Sequence, residues 1–169
     1  MTTKTKVMAF GTFDYLHAGH ESYLKQASEL GDQLIVVIAR DRTANSIRGF
    51  EPDHNERKRM NAVKALPFVD KVILGEYDDK YKVIRKNKPN TIALGYDQFV
   101  FTHQLNKVLI ELKLDTKIVR LESYNPEMYK SSIIRKNLKE QATKKNVSTL
   151  ETMNEIIISD ATPIPEIIA

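Results

Sequence analysis

Six consecutive apolar residues, Leu34-Ile35-Val36-Val37-Ile38-Ala39, leave no polar position to face water. Such a β-branched run suits a strand buried on both faces, and that kind of strand belongs in a parallel sheet covered by helices on each side. The rest of the chain agrees. Val7-Met8-Ala9-Phe10, Lys71-Val72-Ile73-Leu74, Thr91-Ile92-Ala93-Leu94 and Lys117 to Leu121 are further short strand-like runs. Between them lie segments with apolar residues at helical spacing: Glu21 to Leu30 before Gly31, Glu56 to Leu66 before Pro67, Tyr81 to Lys86, Phe99 to Leu114, and finally Ser131 to Glu140. The alternation predicts an α/β, Rossmann-like fold: a five-stranded parallel sheet with helices on both faces, plus a C-terminal tail. Right-handed crossovers then gather the strand C-termini on one edge, where ligands bind at the switch point.

A chain of 169 residues suits one such domain. We divide it into residues 1–140, the α/β domain, and residues 141–169, a polar linker and an apolar arm. Ile156-Ile157-Ile158 and Ile164, Ile167 and Ile168 predict that the arm docks on something. Residues 1–140 carry 24 Lys and Arg against 18 Asp and Glu, and residues 141–169 carry 2 against 4. A mildly basic body suits an anionic small molecule. It lacks the concentrated basic face and interleaved aromatics of a nucleic-acid binder. With no cysteine there is no disulfide, iron–sulfur cluster or thiolate zinc site. No apolar run approaches the roughly 18 residues that a membrane span requires, and Met1 to Lys6 has no signal-peptide stretch. The expectation is a cytoplasmic protein with neither membrane nor nucleic-acid partner.

The densest chemistry follows the first strand: Gly11-Thr12-Phe13-Asp14-Tyr15-Leu16-His17-Ala18-Gly19-His20. Two histidines three apart flank a glycine at a helix entrance. Backbone N–H groups there are expected to be unpaired and the helix dipole favours an anion. Gly11 and Gly19 are expected to let a bulky anion approach the main chain, and two imidazoles beside it can donate to phosphate oxygens. The P-loop spacing of glycine and lysine is absent. Two other readings remain for His17 and His20: a zinc pair, which lacks an obvious third ligand, and histidines satisfied within a turn.

Gly11-Thr12-Phe13-Asp14-x-x-His17-x-Gly19-His20 resembles the nucleotidyltransferase motif of the cytidylyltransferase-like superfamily. Members join a nucleoside triphosphate to a phosphorylated acceptor and release pyrophosphate. The resemblance spans residues 7–138. Ala39-Arg40-Asp41, Gly95-Tyr96-Asp97-Gln98 and Tyr129-Lys130-Ser131-Ser132-Ile133-Ile134-Arg135 are together most similar to the archaeal-type FAD synthetases, which transfer AMP from ATP to FMN. Glycerol-3-phosphate cytidylyltransferases share the first motif but place a tryptophan after the fourth strand, and this chain has none. A cytidylyltransferase for glycerol 3-phosphate or a related ester is the alternative. A non-catalytic nucleotide-binding domain is the alternative of another class, and two intact histidines argue against it.

The resemblance implies a role for each matching position. His17 and His20 are the catalytic pair, binding the α- and β-phosphates as pyrophosphate leaves. Thr12 and Phe13 present backbone donors to the triphosphate. Asp14 fixes the turn, orients a histidine, or caps the helix. Ser131 and Ser132 hold the β- and γ-phosphates or simply cap their helix, and Arg135 clamps a phosphate or sits exposed. Gly95 and Asp97 meet the nucleoside, Gln98 reads a base edge, and Tyr96 packs or stacks. Arg40, Arg42 and Arg48 lie on a loop with Asn45, Ser46 and Gly49 that is either a flexible basic cover over the triphosphate or a solvated run of charge, and Glu56-Arg57 is a local pair from which Arg57 reaches the phosphates or merely pairs. No side-chain metal site is expected: magnesium travels on the nucleotide phosphates. A homodimer is also implied.

Overall fold

In the computed structural model, residues 2–99, 102 and 104–159 are described, with side chains as far as Thr149. A first compact unit ends at Ser131, and a second begins at Ser132. In the first unit, β1 (Lys6–Gly11), β2 (Gln33–Ile38), β3 (Lys71–Leu74), β4 (Thr91–Leu94) and β5 (Lys117–Arg120) form one parallel sheet in the order β3-β2-β1-β4-β5. The helices are α1 (Ala18–Ser28), α2 (Asp41–Arg48), α3 (Glu56–Lys64), α4 (Lys82–Asn87) and α5 (Leu105–Glu111), with α6 (Ser131–Ser159) at the end. The expected five-stranded Rossmann-like sheet is therefore present.

Alternation along each strand sorts the core into two layers. Val7 and Ala9 of β1 and Leu34, Val36 and Ile38 of β2 meet Leu24 and Ala27 of α1 and Val63 of α3. Met8, Ile35, Val37, Ile92 and Leu94 meet Val83 and Ile84 of α4 and Leu105 and Leu109 of α5. Each fully buried aliphatic side chain contributes about 1.5–3 kcal/mol, which is why the runs without polar positions set the sheet.

Three elements differ from expectation. Residues 41–48, read as part of a flexible basic loop, form α2. Its N–H groups and carboxyl end are organised by Asp41 in the first turn, Arg48 in the last, and Gly49 at φ 79° as the left-handed stop. The helix expected from Phe99 starts later, at Leu105; Phe99, Thr102 and Gln104 are non-helical, and Val100, Phe101 and His103 lie outside the described residues. The last helix does not stop at Glu140: it continues through 141–150, the expected linker, to Ser159. Polar Lys, Thr, Gln and Asn residues do not prevent a helix, because no Gly or Pro interrupts them. Ile156-Ile157-Ile158 fall in that helix without described side chains, and Ile164, Ile167 and Ile168 lie outside the described residues. No helix among the described residues is long and apolar enough to cross a membrane.

One side chain ties the carboxyl edge of this sheet together. Arg59 of α3, 1% exposed, donates to the carbonyls of His54 (2.9 Å), Thr12 (2.5 Å) and Ala39 (2.8 Å) and to Asp41 Oδ1 (2.6 Å). These acceptors lie after β1, after β2, in α2 and before α3. Removing one partner of a buried, hydrogen-bonded charge strands the others. Arg59→Met is expected to cost about 3 kcal/mol or more in urea unfolding, and Arg59→Lys a substantial part of that, because one ammonium cannot reach four acceptors.

Candidate active site

β1 stays hydrogen-bonded to β2 as far as Gly11↔Ile38, but its pairing with β4 ends at Ala9↔Ala93. A crevice therefore opens between β1 and β4 beside the first motif, at the point where strand order reverses. Side chains complete the ladder that stops there. Phe10 N donates to Tyr23 Oη (3.3 Å), and Tyr23 Oη donates to Ala93 O (2.8 Å). Gln98 Nε2 donates to Phe10 O (2.5 Å), while its Oε1 accepts from Gly95 N (2.9 Å). Burial holds the Tyr23 phenol well above its usual range, so it remains a neutral donor. Gln98, expected to read a base edge, is instead a brace between the two strand ends. Gly95 O accepts from Arg120 (2.8 Å), and the Asp97 side chain is exposed at the crevice mouth.

The loop after β1 is tightly wound. Phe13 and Tyr15 both take left-handed backbone conformations (φ 54° and 52°), which cost non-glycine residues roughly 1–2 kcal/mol each. Burial of the Phe13 ring and the Tyr15 contacts hold them there: Tyr15 Oη donates to Asp53 (2.5 Å), and its ring meets His54 edge-on. Gly11 makes room for Phe13 rather than for a ligand, since a Cβ at Gly11 would lie 2.7 Å from the Phe13 ring. Gly19 likewise clears the His17 ring, 3.0 Å from where its Cβ would stand, and Tyr129 O. Both glycines were expected to admit an anion. Both admit the protein's own atoms.

His17 is the N-cap of α1. Its Nδ1 accepts from Gly19 N (3.1 Å) and His20 N (3.3 Å), and its carbonyl accepts from Glu21 N (3.0 Å). The N–H groups of Gly19 and His20 are therefore not open to an anion, contrary to the expected backbone cradle. An imidazole that accepts at Nδ1 while neutral must carry its proton on Nε2. Burial lowers the His17 pKa, which favours this neutral form. His20 stacks on His17 (centroids 3.7 Å apart) and lies edge-on to Phe13. Its buried Nδ1 has no hydrogen-bond partner. Burial above all, with the neighbouring His17 ring and the Arg48 charge also disfavouring a cation there, depresses its pKa to about 3. The pair thus presents neutral rings, one with a fixed N–H donor.

Asp14 neither caps α1 nor meets either of those histidines with a hydrogen bond. Fully buried, its carboxylate accepts from Asp53 N (2.9 Å), His54 N (3.2 Å) and His54 Nδ1 (2.9 Å). Burial works against its ionisation, but these bonds prevail and hold its pKa below the ordinary value. It orients a histidine, His54, which sequence reasoning did not single out. Thr12 contributes its carbonyl to Arg59. Ser131 Oγ donates to Asp14 O (2.7 Å), so that hydroxyl proton is spent within the first unit. Ser132 is exposed and Arg135 half-buried, both in the second unit. Arg40 is a brace too: it donates to Gly75 O and Glu56, whose second oxygen accepts from Asp41 N. Glu56 thus pairs with Arg40. Arg59 carried no signal distinguishing it from its neighbours Arg57 and Lys58; only its 3D position does.

The cytidylyltransferase-like family profile matches residues 8–137. A protein of Picrophilus torridus named FAD synthase is 42% identical over 133 residues, covering 79% of this chain and 95% of its own. One of Methanosarcina mazei with the same name is 46% identical over 117 residues, covering 69% and 76%. A crystal structure described as the lipopolysaccharide core biosynthesis protein from Thermoplasma volcanium superposes with a TM-score of 0.69 at 41% identity, covering 73% of this chain and all of that one.

The depressed His20 pKa carries a pH signature. The unfolded state takes up a proton below about 6.5, whereas the native state resists until about 3. Stability is therefore full above pH 6.5 and falls as pH drops through that window. In urea midpoints measured from pH 7.5 to 4, His20→Gln is expected to lose less stability on acidification than the wild type.

Proposed function

The chain belongs to the cytidylyltransferase-like family, and on that premise we propose that it is an FMN adenylyltransferase, transferring AMP from ATP to FMN to give FAD and pyrophosphate. The observation that carries the chemistry is the stacked His17–His20 pair at the entrance of α1, beside the β1–β4 crevice. Relatives more than 40% identical over most of the chain bear the name FAD synthase, which favours this reading over the glycerol-phosphate alternative and over a non-catalytic domain.

A phosphate oxygen of FMN attacks the α-phosphorus of ATP, forming one P–O bond as the bond to the β-phosphate oxygen breaks. The electron pair leaves with pyrophosphate. The nucleophile is already an anion, so the step needs placement and charge stabilisation more than a base. His17 Nε2–H donates to the phosphate region, with the ring held by its cap. His20 donates beside it. Donors fixed in a low-dielectric site stabilise developing charge without reorganising at the moment of reaction. Gly95 and Asp97 receive the nucleoside at the crevice mouth, Asp97 accepting from ribose hydroxyls. Thr12, Phe13 and Asp14 act by shaping the loop. The positions of Ser132 and Arg135 are assigned to the terminal phosphates by the motif resemblance alone.

Among the described residues no three His, Cys, Asp or Glu side chains gather as a metal site. We place the magnesium ion on the triphosphate, as part of the substrate, where it keeps several of its waters. We assign the protein to the cytoplasm and to a homodimer, and divide it at residue 140 between the catalytic domain and a C-terminal arm.

Incubation with ATP, FMN and magnesium is expected to yield FAD and pyrophosphate, with CTP a poorer donor. Turnover of CTP and glycerol 3-phosphate with no FAD would overturn the assignment. His17→Ala and His20→Ala are each expected to lower kcat/KM by roughly a hundredfold or more. His17→Asn separates the two duties of that ring: asparagine restores a cap, worth about 1 kcal/mol of α1 stability, but not the phosphate donor. It should unfold like the wild type and remain as inactive as the alanine variant.

A further inference from the structure

The segment joining β2 to α3 is held to α3 at its start and to the first motif near its end. At its start Asp41 is held by Arg59 and Glu56; near its end Asp53 and His54 are held by Asp14, and Asp53 also by Tyr15. The stretch between the clamps, where α2 ends, has an unusual surface. Ile47 is 59% exposed and Phe50 46% exposed, and Arg48 lies between them in the chain. Gly49 separates them in a left-handed turn around which a Cβ would meet nothing within 4 Å. Single exposed apolar residues are ordinary. Two large ones flanking a cation, on a segment pinned beside a phosphate site, form a surface with a defined charge and shape. The charge reaches the site itself, since Arg48 is among the groups that depress His20.

Sheet order says which substrate this surface meets. With β1 central, the nucleoside assigned to Gly95 and Asp97 lies over β4, and the triphosphate reaches the histidines at the end of β1. The opposite flank, over β2, is where α2 begins directly after the strand. It is left for the acceptor. We propose that Ile47, Arg48 and Phe50 form the acceptor subsite: Arg48 binds the phosphomonoester of FMN next to His20, and Phe50 with Ile47 receives the isoalloxazine ring. A guanidinium matches a phosphate with paired donors, and a flat aromatic ring stacks on an exposed phenyl group with an aliphatic side chain beside it. This assignment rests on FMN being the acceptor.

The test uses the full-length chain and two readouts: KM for FMN and for ATP during FAD formation, and equilibrium binding of FMN and of riboflavin followed by quenching of flavin fluorescence. Riboflavin has the ring without the phosphate. Arg48→Met is expected to weaken FMN roughly tenfold or more while leaving riboflavin binding and the ATP KM within twofold. Arg48→Lys should recover part of the loss. Phe50→Ala is expected to weaken FMN and riboflavin alike, several-fold, and to diminish quenching. FAD formed by both variants with unchanged FMN KM and unchanged flavin binding would overturn the subsite alone. An ATP KM that rises in place of the FMN KM would overturn it as well, by moving the segment to the nucleotide. A wild-type protein that makes no FAD would remove the acceptor reading and the subsite together.

Discussion

A single buried guanidinium determines where the parts of the site stand. Arg59 reaches Thr12, Ala39, Asp41 and His54, four places that the chain visits at widely separated times. Burying an arginine is costly unless its donors are matched, and here three carbonyls and a carboxylate match them. The β1 loop, the end of β2, the start of α2 and the lead into α3 are therefore set relative to one another by one rigid fork. The motif loop rests on that fork on one side and, through Asp14, on the 53–54 backbone on the other.

The site that results is more closely packed than an open phosphate cradle. Gly11 clears a phenyl ring, Gly19 clears an imidazole, and the first N–H groups of α1 end on His17. Polar side chains at the crevice also face inward: Gln98 and Tyr23 replace the strand pairing that β1 and β4 give up after Ala9 and Ala93. The groups left to meet an anion are few and fixed in direction. Such pre-organisation is what a charge-shifting displacement requires.

Much of this was legible in the sequence. β4 begins and ends where its run does, because a strand buried along its whole length has no exposed residues to blur it. The histidine motif announced its helix entrance. What could not be read was which polar residues turn inward. Arg59 sits in Glu56-Arg57-Lys58-Arg59, where composition alone makes each residue a surface charge. Asp14 could be read as fixing the turn, orienting a histidine or capping the helix, and the histidine it binds lies forty residues away. Helix α2 was missed because Asp41-Arg42-Thr43-Ala44-Asn45-Ser46-Ile47-Arg48 has too few apolar residues to show a period, and it depends on tertiary anchors. The identity of those long-range partners is a property of the folded chain, not of any local window.

The His17 ring limits what position 17 can accept in place of histidine. One edge receives two backbone N–H groups, and in the mechanism we propose the other offers a proton to a phosphate. Lysine and arginine donate but have no lone pair for the helix. Aspartate accepts but repels the ligand. Serine and asparagine cap yet end too near the backbone to serve both sides. Neutral imidazole alone places an acceptor and a donor on opposite edges of one rigid plane. If the ring serves as we propose, position 17 is restrained twice over, by folding and by chemistry, and relaxing one restraint leaves the other in force.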